Sequence, residues 1–123
     1  MTPLETVNAF LAAAAKSDYD TAMPFLAEDV EYQNMPLPPV HGRQAVRDTL
    51  EFLLASCEDG EWRVDRELAD GDLVMNERVD RFLINGTWAE LPVAGVFVVA
   101  GGVITLWRDY FDLKTITDQL PAG

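Results

Sequence analysis

Arg78, Asp80 and Asp109 are the residues whose types and spacing could do chemistry, because each falls on an alternating stretch among apolar neighbours. In Met75-Asn76-Glu77-Arg78-Val79-Asp80-Arg81-Phe82 the strand period puts Arg78 and Asp80 on one face, with Val74, Phe82 and Ile84. An ion pair in that setting is expensive unless further partners or a function compensate. Farther along, Thr105, Trp107, Asp109 and Phe111 share a face, so Asp109 also sits between large apolar side chains. A guanidinium can donate to a carboxylate on each side of its fork. Two ionised aspartates and one arginine would leave a dry cavity negative, which favours retention of one proton by the pair. One aspartate then becomes an acid and the other a base. Tyr32 and Asn34, again two residues apart, offer a hydroxyl and an amide that can hold a water against the basic carboxylate. Spacing alone does not separate this from an ordinary cross-strand ion-pair network extended by Asp109.

Composition limits the chemistry further. With 9 Lys+Arg against 21 Asp+Glu the net charge is −12, which repels nucleic-acid backbones and anionic lipid surfaces; no nucleic-acid or membrane partner is expected. One cysteine, Cys57, cannot close an intrachain disulfide, and one histidine, His41, cannot supply the usual multi-histidine metal site. No acidic calcium-type loop and no glycine-rich phosphate cradle is present, so neither metal nor cofactor is expected. At 123 residues and 49% hydrophobic, with no apolar run near 18 residues, the chain 1–123 reads as one globular domain. The start Met1-Thr2-Pro3-Leu4-Glu5 lacks a basic, then apolar, leader, and a cytoplasmic location is the expectation.

The elements that must position these residues follow from periodicity. Thr2, Pro3 and Glu5 form a capping box before a helix with the stripe Leu4, Val7, Phe10, Leu11 and Ala14, ending near Lys16 and Ser17. Asp18 or Asp20 can cap a short second helix, with Pro24 tolerable only in a first turn and Phe25 and Leu26 turned inward. Val30 to Asn34 alternates as a strand, and Met35 to Pro39, with three prolines, makes a stiff apolar loop. Val46, Leu50, Leu53, Leu54 and Cys57 return to helical spacing from Arg43 to about Cys57, which makes Cys57 core filler; His41 reads as a loop residue.

Strands follow, with Trp62 and Val64 alternating against Arg63 and Asp65, a turn at Asp70-Gly71, and a tight hairpin at Asn85-Gly86 into Thr87 to Ala100. Gly101-Gly102 turns into Val103 to Phe111, and Leu113 to Leu120 reads as a terminal helix. Helices first and a strand meander afterwards predict an α+β fold: a curved, mixed but mostly antiparallel sheet wrapped around N-terminal helices, leaving an apolar pocket. Glu77, Arg81, Arg108 and Asp112 alternate outward as surface or subunit-contact charges.

Tyr32-Gln33-Asn34-Met35-Pro36-Leu37-Pro38-Pro39, then Glu77-Arg78-Val79-Asp80, then Trp107-Arg108-Asp109-Tyr110-Phe111-Asp112 resemble, in order and context, the limonene-1,2-epoxide hydrolase family. That family is similar in scaffold to ketosteroid isomerase and other cone-shaped, cystatin-like proteins. The resemblance implies Asp80 as general acid on the epoxide oxygen, Asp109 as general base on water, Arg78 as the bridge, and Tyr32 and Asn34 as the water's holders. It also implies a homodimer. The chain departs from the family in a shorter amino terminus and a tighter Asn85-Gly86 hairpin. Ring opening needs a proton on the leaving oxygen and an aligned water, so one push-pull step without an enzyme ester suffices. The expected wall, Leu11, Leu53, Phe82, Leu91, Val93, Phe111 and Ile116, suits a small cyclic, terpene-like or aryl epoxide giving a trans diol. The rivals are a binding-only protein and an isomerase or cyclase on the same scaffold.

Overall fold

In the computed structural model, which describes residues 1–120, Thr2 opens the first helix with the expected box. Its hydroxyl accepts from the Glu5 N–H at 3.1 Å, while the Glu5 carboxylate accepts from the Thr2 N–H at 2.8 Å. Helix α1 (Pro3–Ala15) buries Val7, Phe10, Leu11 and Ala14. Asp18 caps α2 (Tyr19–Ala22), and a 3-10 turn at Met23–Phe25 takes Pro24 in its first turn, where no amide hydrogen is missed.

Strand β1 (Leu26–Asn34) begins at Leu26 rather than Val30. A register shift between Leu26 and Glu31 interrupts its pairing, so the side-chain alternation holds only in the second half. Beyond the proline loop, Val40–His41 forms a two-residue strand β2 against Glu31 and Tyr32, a pairing too short to leave a period in the sequence. Helix α3 (Arg43–Leu53) ends before Cys57: the Leu54 N–H still reaches Leu50, but the Cys57 N–H bonds back to Leu54 in a turn.

The hairpin strands are β3 (Asp59–Asp70), β4 (Leu73–Ile84), β5 (Thr87–Ala100) and β6 (Val103–Tyr110). Asn85 and Gly86, at φ 50° and 75°, make the left-handed turn between β4 and β5. The last helix, α4 (Leu113–Thr117), is shorter than the stretch to Leu120 suggested.

The sheet is open and curved, in the order β2-β1-β6-β5-β4-β3, antiparallel throughout except for the parallel pair β1 and β6. Helix α1 lies across one face. Trp107 is the centre of that core, stacked on Tyr32 at 4.0 Å between ring centres and met edge-on by Phe10 at 5.0 Å. At Gly60 a Cβ would stand 2.2 Å from the Ala15 carbonyl oxygen, so glycine lets the end of α1 rest on β3. No helix among the described residues is long and apolar enough to cross a membrane.

Candidate active site

The two strand edges that matter meet at Asp109. Strand β1 runs parallel to β6 with Tyr32 opposite Trp107 and Asn34 opposite Asp109, while on β4 Arg78 and Asp80 stand opposite Val93 and Leu91. Alternation therefore turns Tyr32, Asn34, Asp80, Trp107 and Asp109 into one cavity. Arg78 does not border it; its side chain lies wholly buried behind the two carboxylates.

Every N–H of that guanidinium is used. Nε and Nη2 donate to the two oxygens of Asp80, both at 3.0 Å. Nη1 and Nη2 donate to the two oxygens of Asp109, at 3.2 and 2.8 Å. The remaining Nη1 hydrogen goes to Asn76 Oδ1 at 3.1 Å. Such two-sided pairing is the strongest form of this interaction and sets both carboxylates in one plane of control. Burial alone would drive Arg78 toward losing its charge, but the Asp109 and Asp80 carboxylates outweigh it and hold the guanidinium above its ordinary value.

The carboxylates differ in what faces them. Asp109 also accepts from Trp107 Nε1 at 2.8 Å, a donor that Asp80 lacks. For Asp80, burial is the largest influence and raises its pKa; Arg78 pulls the other way and Asp109 adds to the rise. Of the two carboxyl groups, Asp80 is the one whose burial favours its protonated form. Tyr32 donates its hydroxyl to Asn34 Oδ1 at 3.0 Å. Burial, then the neighbouring Asp109, pushes Tyr32 well above the usual phenol range, so it stays a hydroxyl.

The cavity measures about 240 Å³. Phe82, Leu91 and Val93 wall it from the sheet, Leu50, Leu53 and Leu54 from α3 and its end, and Leu37 from the proline loop. Phe111, Leu113, Ile116 and Leu120 close it from the C-terminal side. Among the described residues lining it, Asp80 and Asp109 carry the only carboxyl groups, and none is Lys, Arg or His.

Of the wall residues expected from sequence, Leu53, Phe82, Leu91, Val93, Phe111 and Ile116 line the cavity and Leu11 does not. Leu11 is spent in the core beneath α1, 2% exposed, because that helix lies flat on the sheet. Cys57 corrects the opposite way. With α3 ended at Leu53 it leaves the helix stripe and joins the cavity wall, where burial pushes its thiol up. His41 sits at the exposed edge, 3.2 Å from Glu31, away from the site. Arg108 pairs with Glu31, Arg81 with Glu61, and Glu77 with Arg66, as surface charges should.

Two polar residues at the site escaped the sequence reading. Trp107 was placed on the right face but only as bulk, and its indole donor was the signal. Asn76 lies two residues before Arg78 on the same buried face, yet an amide in an alternating strand carries no charge to draw notice. Among the described residues, no group of three or more His, Cys, Asp or Glu is placed to hold a metal ion.

A family model described as the limonene-1,2-epoxide hydrolase catalytic domain matches residues 1–122. Epoxide hydrolase EphG of Mycobacterium tuberculosis is 36% identical over 117 residues, covering 95% of this chain and 78% of that protein. A solved LEH-like epoxide hydrolase of M. tuberculosis matches with a TM-score of 0.84 at 34% identity, over 96% of this chain and 88% of that one. A protein of ketosteroid isomerase-like fold from Catenulispora acidiphila, solved with trimethylamine, matches with a TM-score of 0.84 at 26% identity, over 98% and 96%.

Proposed function

The chain belongs to the limonene-1,2-epoxide hydrolase family and is an epoxide hydrolase of that type, and we propose that it opens small apolar epoxides in one step, without a covalent intermediate. Asp80 donates its proton to the epoxide oxygen as the C–O bond breaks. Asp109 takes a proton from water as the water oxygen attacks carbon from the opposite face. The products are a trans vicinal diol from a cyclic substrate and an enzyme whose proton has moved from Asp80 to Asp109; exchange through Arg78's neighbourhood or solvent resets the pair.

The observation that carries this is the double fork of Arg78 on Asp80 and Asp109 at the edge of one apolar cavity. Water placement follows from the hydrogen-bond inventory. Tyr32 spends its hydrogen on Asn34 Oδ1, which leaves the phenol oxygen as an acceptor and Asn34 Nδ2 as a donor. A water giving its hydrogens to Asp109 and Tyr32 and accepting from Asn34 keeps one lone pair for attack. The cavity has room for a single ring with short substituents, and no cation among the described residues lines it to welcome an anionic substrate, which supports cyclic, terpene-like or aryl epoxides. We further propose a homodimer, argued below.

The test is a single turnover with excess enzyme in ¹⁸O-labelled water on a small set of cyclic epoxides. Diol labelled in the first event, with both aspartates unlabelled and the attacked carbon inverted, is the expected outcome. Unlabelled first-turnover diol, with label entering Asp80 or Asp109, means that an aspartate is the nucleophile and the one-step reading is wrong.

A further inference from the structure

Strand β4 meets β5 with Asn76 opposite Gly95, and β5 meets β6 with Gly95 opposite Asp109, so Gly95 lies in the middle of the sheet directly under the guanidinium. A Cβ there would stand 2.5 Å from Arg78 Nη1, 2.6 Å from Asn76 Oδ1 and 2.9 Å from Phe97 Cε1. Its φ is not in the left-handed region, so no turn or strain calls for glycine at this position. What calls for it is space beneath Arg78. Its neighbours on the inward face of β5, Val93 on one side and Phe97 on the other, carry large side chains.

Asn76 is the second half of the arrangement. It is 6% exposed and its Oδ1 takes the one Arg78 hydrogen that neither aspartate takes. Its Nδ2 has no partner among the described residues, so the amide is retained for its oxygen at the expense of an unpaired donor. A carboxylate at this position would put a third anion on the same guanidinium; an apolar residue would leave a buried N–H unmet.

We propose that Asn76 and Gly95, neither of which borders the cavity, are positioning residues: together they seat Arg78 so that its other four hydrogens reach both carboxylates at once. This rests on the acid and base roles argued above. An upward push by a Cβ at Gly95, or release of Nη1 by loss of the Asn76 oxygen, tilts the fork away from at least one aspartate. Catalysis depends on where acid and base stand, and an error of about 1 Å costs on the order of 10²-fold.

The consequence is readable in pH as well as rate. Around Asp80, Arg78 from β4 is the cation that favours its ionised form and Asp109 from β6 the anion that opposes it; Tyr32 from β1 and Cys57 from the turn after α3 line the same cavity. Strand β5 contributes Leu91, Val93 and Gly95, and β3 contributes Trp62, none of which titrates near neutrality. Displacing the guanidinium therefore raises Asp80, and the alkaline limb of the kcat/KM profile, which reports the acid, moves to higher pH.

The experiment compares wild type, Gly95→Ala and Asn76→Ala with a cyclic epoxide across pH, with thermal unfolding to measure the folded fraction. The expected result is a fall in kcat of about 100-fold for Gly95→Ala and about tenfold for Asn76→Ala, KM changed far less, and the alkaline limb shifted upward. If both variants keep kcat within about two-fold of wild type, or lose activity only in proportion to unfolding with the alkaline limb unmoved, the seat is refuted. Should Gly95→Ala not fold, Asn76→Ala, which only removes atoms, decides the matter alone. A wild type that does not hydrolyse epoxides at all would instead overturn the proposed reaction, a distinguishable failure.

Discussion

At the residue scale, the roles proposed for Asp80 and Asp109 rest on their different surroundings: Asp109 accepts from the Trp107 indole and Asp80 does not. Asp80→Asn removes the proposed proton donor and Asp109→Asn the proposed acceptor, so each should lower turnover by about 10²- to 10⁴-fold while leaving circular dichroism unchanged; near-normal turnover in either would show a misassigned role. Stability gives an independent check. The pKa of Asp80 in the folded chain is raised by burial above its ordinary 3.8, so the unfolded chain releases that proton first. Its contribution to stability is complete below about 3.8 and is lost as pH rises through the folded value. The difference in unfolding midpoint, wild type minus Asp80→Asn, should therefore shrink as pH rises across that window, and a difference that grows would contradict it. These two residues and Arg78 were legible in the sequence because a strand has period two and charge among apolar neighbours is conspicuous. Asn76, Gly95 and the indole of Trp107 were not, because an uncharged acceptor, an absent side chain and a donor on a bulky ring matter only once three strands are side by side.

At the element scale, the order of the meander's strands was legible, since turns such as Asn85-Gly86 mark where one gives way to the next, although β6 ends at Tyr110 rather than Phe111. The errors fall where tertiary pairing overrides local pattern: the bulged start of β1, the two-residue β2 and the early end of α3. The C-terminal segment is the case with a functional consequence. Helix α4 is too short to hold itself in place, and its apolar residues Leu113 and Ile116 close one side of the cavity. What ties the segment down is Gln119, whose Nε2 donates to the Glu90 carbonyl and whose Oε1 accepts from the Glu90 N–H, both at 2.8 Å, as a neighbouring strand would. Gln119→Ala should raise KM for an apolar epoxide by up to about 30-fold, two hydrogen bonds being worth about 1 kcal/mol each, with kcat less affected. Steady-state kinetics check this, and an unchanged KM would mean that packing alone holds the wall.

At the scale of the whole molecule, the face of the sheet turned away from α1 poses a problem that a single chain does not solve. Leu68 pairs with Met75 across β3 and β4, Met75 and Leu73 pair with Val96 and Val98 on β5, and Val98 pairs with Leu106 on β6. Leu68 is 79% exposed, Met75 48% and Leu73 41%, so an apolar band crosses four strands in contact with water. Scattered apolar residues on a surface need no explanation, but a contiguous band does. A second copy laid on the same band would bury both at once, the self-complementary contact that two-fold dimers use. Opposing it is the net charge of −12 on each chain, whose repulsion salt screens while apolar contact is untouched. The prediction is a dimer by sedimentation equilibrium at micromolar concentration that tightens as salt is raised. Met75→Glu should shift it to monomer, because the new carboxylate would be buried against its own copy. A wild type that sediments as a monomer at every salt concentration, or a Met75→Glu variant that remains dimeric, would place the contact elsewhere or remove it.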